Sequence, residues 1–152
     1  MGQEPDVERE RVRPRLVIDT NVFVSGLISG AGLPARILRA VQGKRAVHLV
    51  SDPIVEEYLR VLDYPRIRRF RKVTDAFVAD IAGYLVYQTE RVELQSRIRM
   101  SPHPDDDVFL NTAVDGGATL LISGDKTDLL ALRTVDGIPI VTAGEAVLRL
   151  GF

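Results

Sequence analysis

The sequence predicts an α/β fold: a single three-layer α/β/α domain around a central parallel sheet of about four to five strands. Three observations carry this prediction. Short apolar runs (Leu16-Val17-Ile18, Ala46 to Val50, Thr119 to Ile122, Ile138 to Val141) end in polar residues, as strands buried on both faces of a parallel sheet do. Stretches with helical spacing alternate with those runs, the pattern of repeated strand–helix–strand units. A chain of 152 residues, 45% of them hydrophobic, is the size of one domain with enough apolar surface for a core.

Met1 to Pro14 mixes Glu, Arg, Pro and Gly without periodicity and reads as a flexible tail, leaving 15–152 as the domain. After the first strand, Val22 to Ile28 reads as a short helix broken by the turn Ser29-Gly30-Ala31-Gly32. Pro34 suits a first helical turn, and helical spacing from Ala35 to Val41 stops at Gly43. Ser51-Asp52-Pro53 starts a helix that runs through Leu62 and halts before Pro65. Ile67 to Lys72 and Thr74 to Gln88 read as two further helices, with Val92 in a short edge strand. Pro102 and Pro104 lead into a helix from Asp105 to about Asp115, ended by Gly116-Gly117. Another helix follows Asp125, and Thr142-Ala143-Gly144-Glu145 has the capping-box spacing that opens a terminal one.

Composition removes several kinds of chemistry. There is no cysteine, which excludes disulfides, thiol catalysis and zinc–thiolate sites and suits a reducing, cytoplasmic setting. Neither a secretory signal nor an apolar run long enough to span a membrane is expected. His48 and His103 are the only histidines, so a metal would be held by oxygen. Ser25, Ser29 and Ser51 lack the partners of a nucleophile triad, and Ser29-Gly30-Ala31-Gly32 lacks the phosphate-loop lysine. The net charge of −1 hides a segregation. Arg60, Arg66, Arg68, Arg69, Arg71 and Lys72 face only Asp63 in their stretch, whereas Asp105, Asp106, Asp107, Asp115, Asp125 and Asp128 face only Lys126.

Four carboxylates stand out. Asp19 ends the first strand and Asp125 follows the third after Ser123-Gly124. In an open α/β sheet, ligands bind beyond the carboxyl ends of the strands. Helix N-capping alone would also suit Asp19. On a helical wheel with Asp106 at zero, Phe109, Leu110, Ala113 and Val114 fall at roughly −60°, +40°, −20° and +80°, which puts Asp106 on the buried face. Glu57 lies about 105° from the apolar centre of its helix and Glu56 about 155°, so Glu57 borders the buried face. Asp19, Glu57, Asp106 and Asp125 gathered at one sheet edge would repel one another. A set of hard oxygen ligands is what Mg²⁺ or Mn²⁺ selects.

With these landmarks in order, the chain resembles the PIN domain ribonucleases, and within them the prokaryotic toxin group. The likeness runs from Leu16 to Leu148. It rests on Val17-Ile18-Asp19-Thr20-Asn21, on Ser51 with Glu57-Tyr58-Leu59-Arg60-Val61-Leu62, on Pro104-Asp105-Asp106-Asp107 with Phe109-Leu110, and on Ser123-Gly124-Asp125 with Asp128-Leu129-Leu130. The resemblance implies metal-binding carboxylates at Asp19, Glu57, Asp106 and Asp125, with support from Asn21, Ser123 and Asp128. It implies a Mg²⁺- or Mn²⁺-dependent endoribonuclease that hydrolyses single-stranded RNA to 5′-phosphate and 3′-hydroxyl ends. An antitoxin protein blocks this site in toxin–antitoxin pairs, and homodimers are frequent. The chain departs from the pattern in His103, where Asp is usual, in Ser123, where Thr is usual, and in Thr127, an extra residue before Asp128.

The stretch Tyr64 to Lys72 interleaves rings with cations, so Arg66, Arg68, Arg69, Arg71 and Lys72 are candidate RNA contacts. Arg97 and Arg99 form a weaker pair of the same kind. Two rival functions differ in class. Haloacid-dehalogenase-like phosphatases require a second aspartate where Asn21 stands, and receiver domains require an acidic pair near the first strand that Thr20-Asn21 does not supply. A binding module that keeps the fold without turnover is compatible with every residue named.

Overall fold

Leu16, Val17 and Ile18 are wholly shielded from solvent because their strand has a hydrogen-bonded neighbour on each edge. The computed structural model describes residues 13–152; of the predicted tail, residues 1–12 lie outside the described residues. The elements are β1 (Arg15–Ile18), α1 (Thr20–Ser29), α2 (Leu33–Gln42), β2 (Val47–Val50), α3 (Asp52–Leu62), α4 (Pro65–Arg68), α5 (Asp75–Tyr87) and β3 (Glu90–Arg91). A 3₁₀ turn (Pro104–Asp106) leads into α6 (Asp107–Asp115), then β4 (Leu120–Ile122), α7 (Leu129–Leu132), β5 (Thr134–Val135), β6 (Ile138–Val141) and α8 (Ala143–Leu150).

The sheet has six strands among the described residues, in the order β3-β2-β1-β4-β6-β5, one more than the sequence suggests. All pairings are parallel except β5 with β6. The addition is the two-residue strand β5, too short to carry a period of its own, whereas β3 lies beside Val92, where a short edge strand is expected. β1 pairs Val17 with Leu49 on one side and with Leu121 on the other. Strand order runs outward from β1 to β2 and β3, then reverses to β4 and β6. The crevice between the ends of β1 and β4 is therefore the topological switch point, where such sheets bind ligands. Right-handed crossovers put α1 and α2 on one face and α6 on the other.

Two predicted helices differ from those observed. Ile67 to Lys72 is not a helix; one turn at Pro65–Arg68 gives way to bends. Pro65 starts that turn, and Ile67 is the only residue in it with a buried side chain to hold it. The helix expected from Asp105 begins as the 3₁₀ turn, closed by the Asp106 amide donating to the His103 carbonyl at 2.9 Å. Among the described residues no single helix is long and apolar enough to cross a membrane.

Helices α1 and α2 pack closely around Gly26. A Cβ there would lie 2.7 Å from Leu38 Cδ1 and 2.9 Å from the Pro34 carbonyl oxygen. Gly83, within α5, has open space around it. Gly26→Ala is expected to destabilise the protein by about 1–3 kcal/mol through overpacking. Gly83→Ala is expected to stabilise it by up to about 1 kcal/mol through helix propensity. Denaturant unfolding of the two variants reads both signs; equal midpoints would contradict the close packing.

Candidate metal centre

The end of β1 runs into α1 without a loop. Asp19 is the N-cap: its Oδ1 accepts from the Thr20 amide at 2.8 Å. Capping leaves Oδ2 free for another partner, and the Ser123 hydroxyl donates to it at 2.7 Å from the end of β4. Asp19 thus caps the helix, as one of its two sequence readings expects, and keeps its second oxygen at the strand ends where the other reading puts a ligand. It joins the two strand ends that bound the switch point while staying only 6% exposed. Burial pushes its pKa up to about 6; the Ser123 and Thr20 hydrogen bonds oppose the rise, and the charges of Asp106 and Glu57 add to it.

Glu57 comes from α3, half-buried as its wheel position predicts, with Glu56 exposed. The Thr20 hydroxyl donates to Glu57 Oε2, and Arg60 lies 3.7 Å from Oε1. Thr20 therefore orients two carboxylates at once, Asp19 through its amide and Glu57 through its hydroxyl. Sequence reasoning missed this residue, because a threonine at the start of a helix carries no signal of a distant partner.

The sequence placed Asp106 on the buried helix face, and this needs correction. Asp107 is the carboxylate that is buried, at 7% exposure, and it accepts from the Ser101 amide at 2.8 Å and the Met100 amide at 3.1 Å. Asp106 sits half-buried at the junction of the 3₁₀ turn and α6. The wheel treated Asp106 as a residue of the helix, whereas it ends a separate 3₁₀ turn before α6, and Asp107 takes the buried start of the helix by accepting the Met100 and Ser101 amides. Freed from the core, Asp106 meets other acids. One carboxylate oxygen each from Asp106, Asp125 and Asp128 lies within 4.8 Å of the others. Burial, then Asp125, Asp128 and Glu57, push the Asp106 pKa up, while His103 lowers it.

Asp125 is held differently. Partial burial would raise its pKa, but donation from the Thr127 hydroxyl and from the Asp128 and Thr127 amides brings it below the usual range. The extra residue Thr127 is thus absorbed in a turn that clamps Asp125. Asp128 still reaches the cluster, with His103 Nε2 at 3.4 Å from its Oδ2. Asn21 lies exposed on the rim.

Beneath the carboxylates runs a buried polar chain. The Tyr58 hydroxyl donates to the Ile18 carbonyl, the last residue before Asp19. It therefore accepts from His48 Nε2 at 3.2 Å, and His48 Nδ1 accepts from the Tyr84 hydroxyl at 2.8 Å. His48 is neutral in this arrangement, its pKa pushed down to about 3 by burial. Phe23 stacks on Tyr58 at 4.1 Å. Nothing in the spacing of these residues announces the chain, since they come from α1, β2, α3 and α5.

Of the candidate RNA contacts, Arg68 is committed to Asp75 at 2.9 Å and Asp63 at 3.1 Å. Arg66, Arg69, Arg71 and Lys72 are exposed, and none forms an ion pair among the described residues.

An acid whose pKa is raised by folding binds its proton more tightly when folded. Keeping Asp19 ionised therefore costs stability above about pH 6, and that cost is relieved as pH falls toward the unfolded value of 3.8. Metal-free wild type is expected to gain thermal midpoint, relative to Asp19→Asn, as pH drops through that window. Parallel pH profiles of the two proteins in a thermal-shift experiment would contradict it.

The chain matches a family model described as PIN domain over residues 15–127. It is 28% identical, over 82% of its length and 78% of the relative's, to an uncharacterized protein of Methanocaldococcus jannaschii. Its fold is similar to that of VapBC2 from Rickettsia felis, solved bound to a DNA fragment from their promoter, at a TM-score of 0.55 and 11% identity, covering 84% of this chain and 98% of that one. The PIN domain endonuclease Utp24 aligns at a TM-score of 0.46 and 18% identity over 84% of each chain. The family match spans the strand ends that carry Asp19 and Asp125 and everything between them: the chain belongs to the PIN domain family.

Proposed function

We propose that this PIN domain is a Mg²⁺- or Mn²⁺-dependent endoribonuclease acting on single-stranded RNA, with Asp19, Glu57, Asp106 and Asp125 as the metal-binding carboxylates and Asp128 joining them. One observation carries the reading. Carboxylates from distant segments converge at the switch point, three of their oxygens within 4.8 Å and a fourth group, Asp19, buried beside them. Burial raises the pKa of both Asp19 and Asp106, and the neighbouring carboxylates add to the rise, so without a cation these charges are costly to keep together. The donor set fits a hard divalent ion, being all oxygen with no thiolate or imidazole at its core. PIN domains are generally nucleases.

A bound Mg²⁺ or Mn²⁺ would polarise a phosphoryl oxygen and lower the pKa of a water. The chain supplies the geometry around it. Ser123 and the Thr20 amide fix the Asp19 carboxylate, the Thr20 hydroxyl fixes Glu57, and the Thr127 turn fixes Asp125. Asn21 stands at the rim to meet a phosphodiester. Arg66, Arg69, Arg71 and Lys72 supply positive charge along which an RNA backbone can lie. Water adds to phosphorus and the bond to the 3′ oxygen breaks, leaving 5′-phosphate and 3′-hydroxyl ends. The setting is cytoplasmic, and a toxin role would add an antitoxin protein that covers this site; the fold shared with VapBC2 supports that partner.

The test is cleavage of labelled single-stranded RNA with Mn²⁺ or Mg²⁺, beside EDTA and Asp19→Asn. Cleavage is expected in the wild type, abolished by EDTA and lowered more than about 100-fold by the substitution, beyond what loss of an outer-sphere partner causes. Undiminished cleavage by Asp19→Asn would sink the metal assignment. RNA binding without cleavage in any metal would make the protein a binding module.

A further inference from the structure

Alongside α1 lies a pocket of about 390 Å³ that none of the metal-binding carboxylates lines. One wall is α1, which turns Asn21, Ser25 and Ser29 toward solvent at intervals of four residues. The other wall is Val61 of α3 with Arg66, Ile67 and Phe70. Ile67 is 5% exposed and forms part of the floor, whereas Phe70 is 47% exposed. Asn21, which lines the pocket, stands two residues along the chain from Asp19 and ties it to the metal centre.

We infer that this pocket is a nucleobase subsite, taking one base of the single-stranded RNA close to the cleaved bond; this rests on the nuclease reading above. A base has an apolar face and polar edges, and the pocket offers both kinds of partner. The Phe70 ring gives a stacking face, Arg66 a planar cation, and Asn21 and Ser25 side chains that donate and accept at an edge. Charge complementarity selects nucleic acid as the occupant. Arg69, Arg71 and Lys72 flank Phe70 and, with Arg66, form no ion pair among the described residues; Arg66 lies 5.6 Å from the centre of the Tyr64 ring and Lys72 5.6 Å from that of Phe77, exposed contacts that leave their charge to phosphates. Arg68, locked between Asp63 and Asp75, anchors the turn that carries Phe70 instead of contacting RNA. Stacking is tolerant of base identity, so the pocket reads single-strandedness more than sequence.

The experiment compares kcat/KM of wild type, Phe70→Ala and Phe70→Tyr on a single-stranded oligoribonucleotide and on the same oligonucleotide carrying one abasic ribose at successive positions. Phe70 is half exposed, and equal thermal midpoints check that the variants are folded. In the wild type one abasic position near the cut should lower kcat/KM by about five- to 150-fold, the worth of one stacked base. Phe70→Ala should lose a similar factor on the intact oligonucleotide and show no further loss at that position, and Phe70→Tyr should retain wild-type behaviour. Wild-type rates in Phe70→Ala, or an abasic penalty that persists in it, would overturn the subsite while leaving the nuclease reading intact. Failure of the wild type to cleave any RNA would overturn both. A wild-type dimer in sedimentation that Phe70→Ala dissociates would assign the pocket to a second copy of the chain and overturn the subsite.

Discussion

Electrostatic repulsion among carboxylates that cannot leave one another is the constraint around which this protein is built. Asp19 is set at the crevice by the hydrogen bonding of β1 into the sheet's centre, Asp125 by the end of β4, Glu57 by α3 and Asp106 by the junction before α6. A sheet whose order reverses between β1 and β4 has to bring the strand ends that carry Asp19 and Asp125 together. Beyond burial, the neighbouring carboxylates make Asp19 and Asp106 harder to ionise. The structure answers with local donors, from Ser123, Thr20 and the Thr127 turn, which orient the oxygens without neutralising them. The remaining charge makes the cluster receptive to a divalent ion.

The polar chain Tyr84–His48–Tyr58–Ile18 serves that arrangement from below. It satisfies three buried polar side chains with one another and ends on the carbonyl that precedes Asp19. Buried networks of this kind are specific because an unsatisfied member is costly. Phe23 packs on Tyr58 from α1, so the helix capped by Asp19 and the helix carrying Glu57 share a single aromatic contact. The Gly26 approach of α1 to α2 holds the same helix from its other side.

How much of this could be read from residues alone depended on whether each feature was local. β1, β2, β4 and β6 announce themselves because strands with two buried faces are continuous apolar runs. β5 does not, since two residues have no pattern and exist only through pairing, and β3 shows only as the edge strand expected beside Val92. The wheel succeeded for Glu57, where α3 is a regular helix, and failed for Asp106, which belongs to a 3₁₀ turn ahead of the helix and not to the helix itself. Asp128 was read as a supporting residue with Thr127 inserted before it, and a turn absorbs Thr127 and keeps Asp128 in the cluster. Thr20, Tyr58, His48 and Tyr84 act through partners far along the chain, which one-dimensional spacing cannot reveal. In the basic stretch, charge was legible but pairing was not: only the fold separates Arg68, held by two aspartates, from its free neighbours.

The most direct measurement is the anomalous difference map of crystals grown with Mn²⁺. A peak bounded by oxygens of Asp19, Glu57, Asp106 and Asp125 is the expected result, with Asp128 and Asn21 beside it. Crystals with Mn²⁺ ordered elsewhere and no density among these carboxylates would contradict the assignment of this cluster as a metal centre.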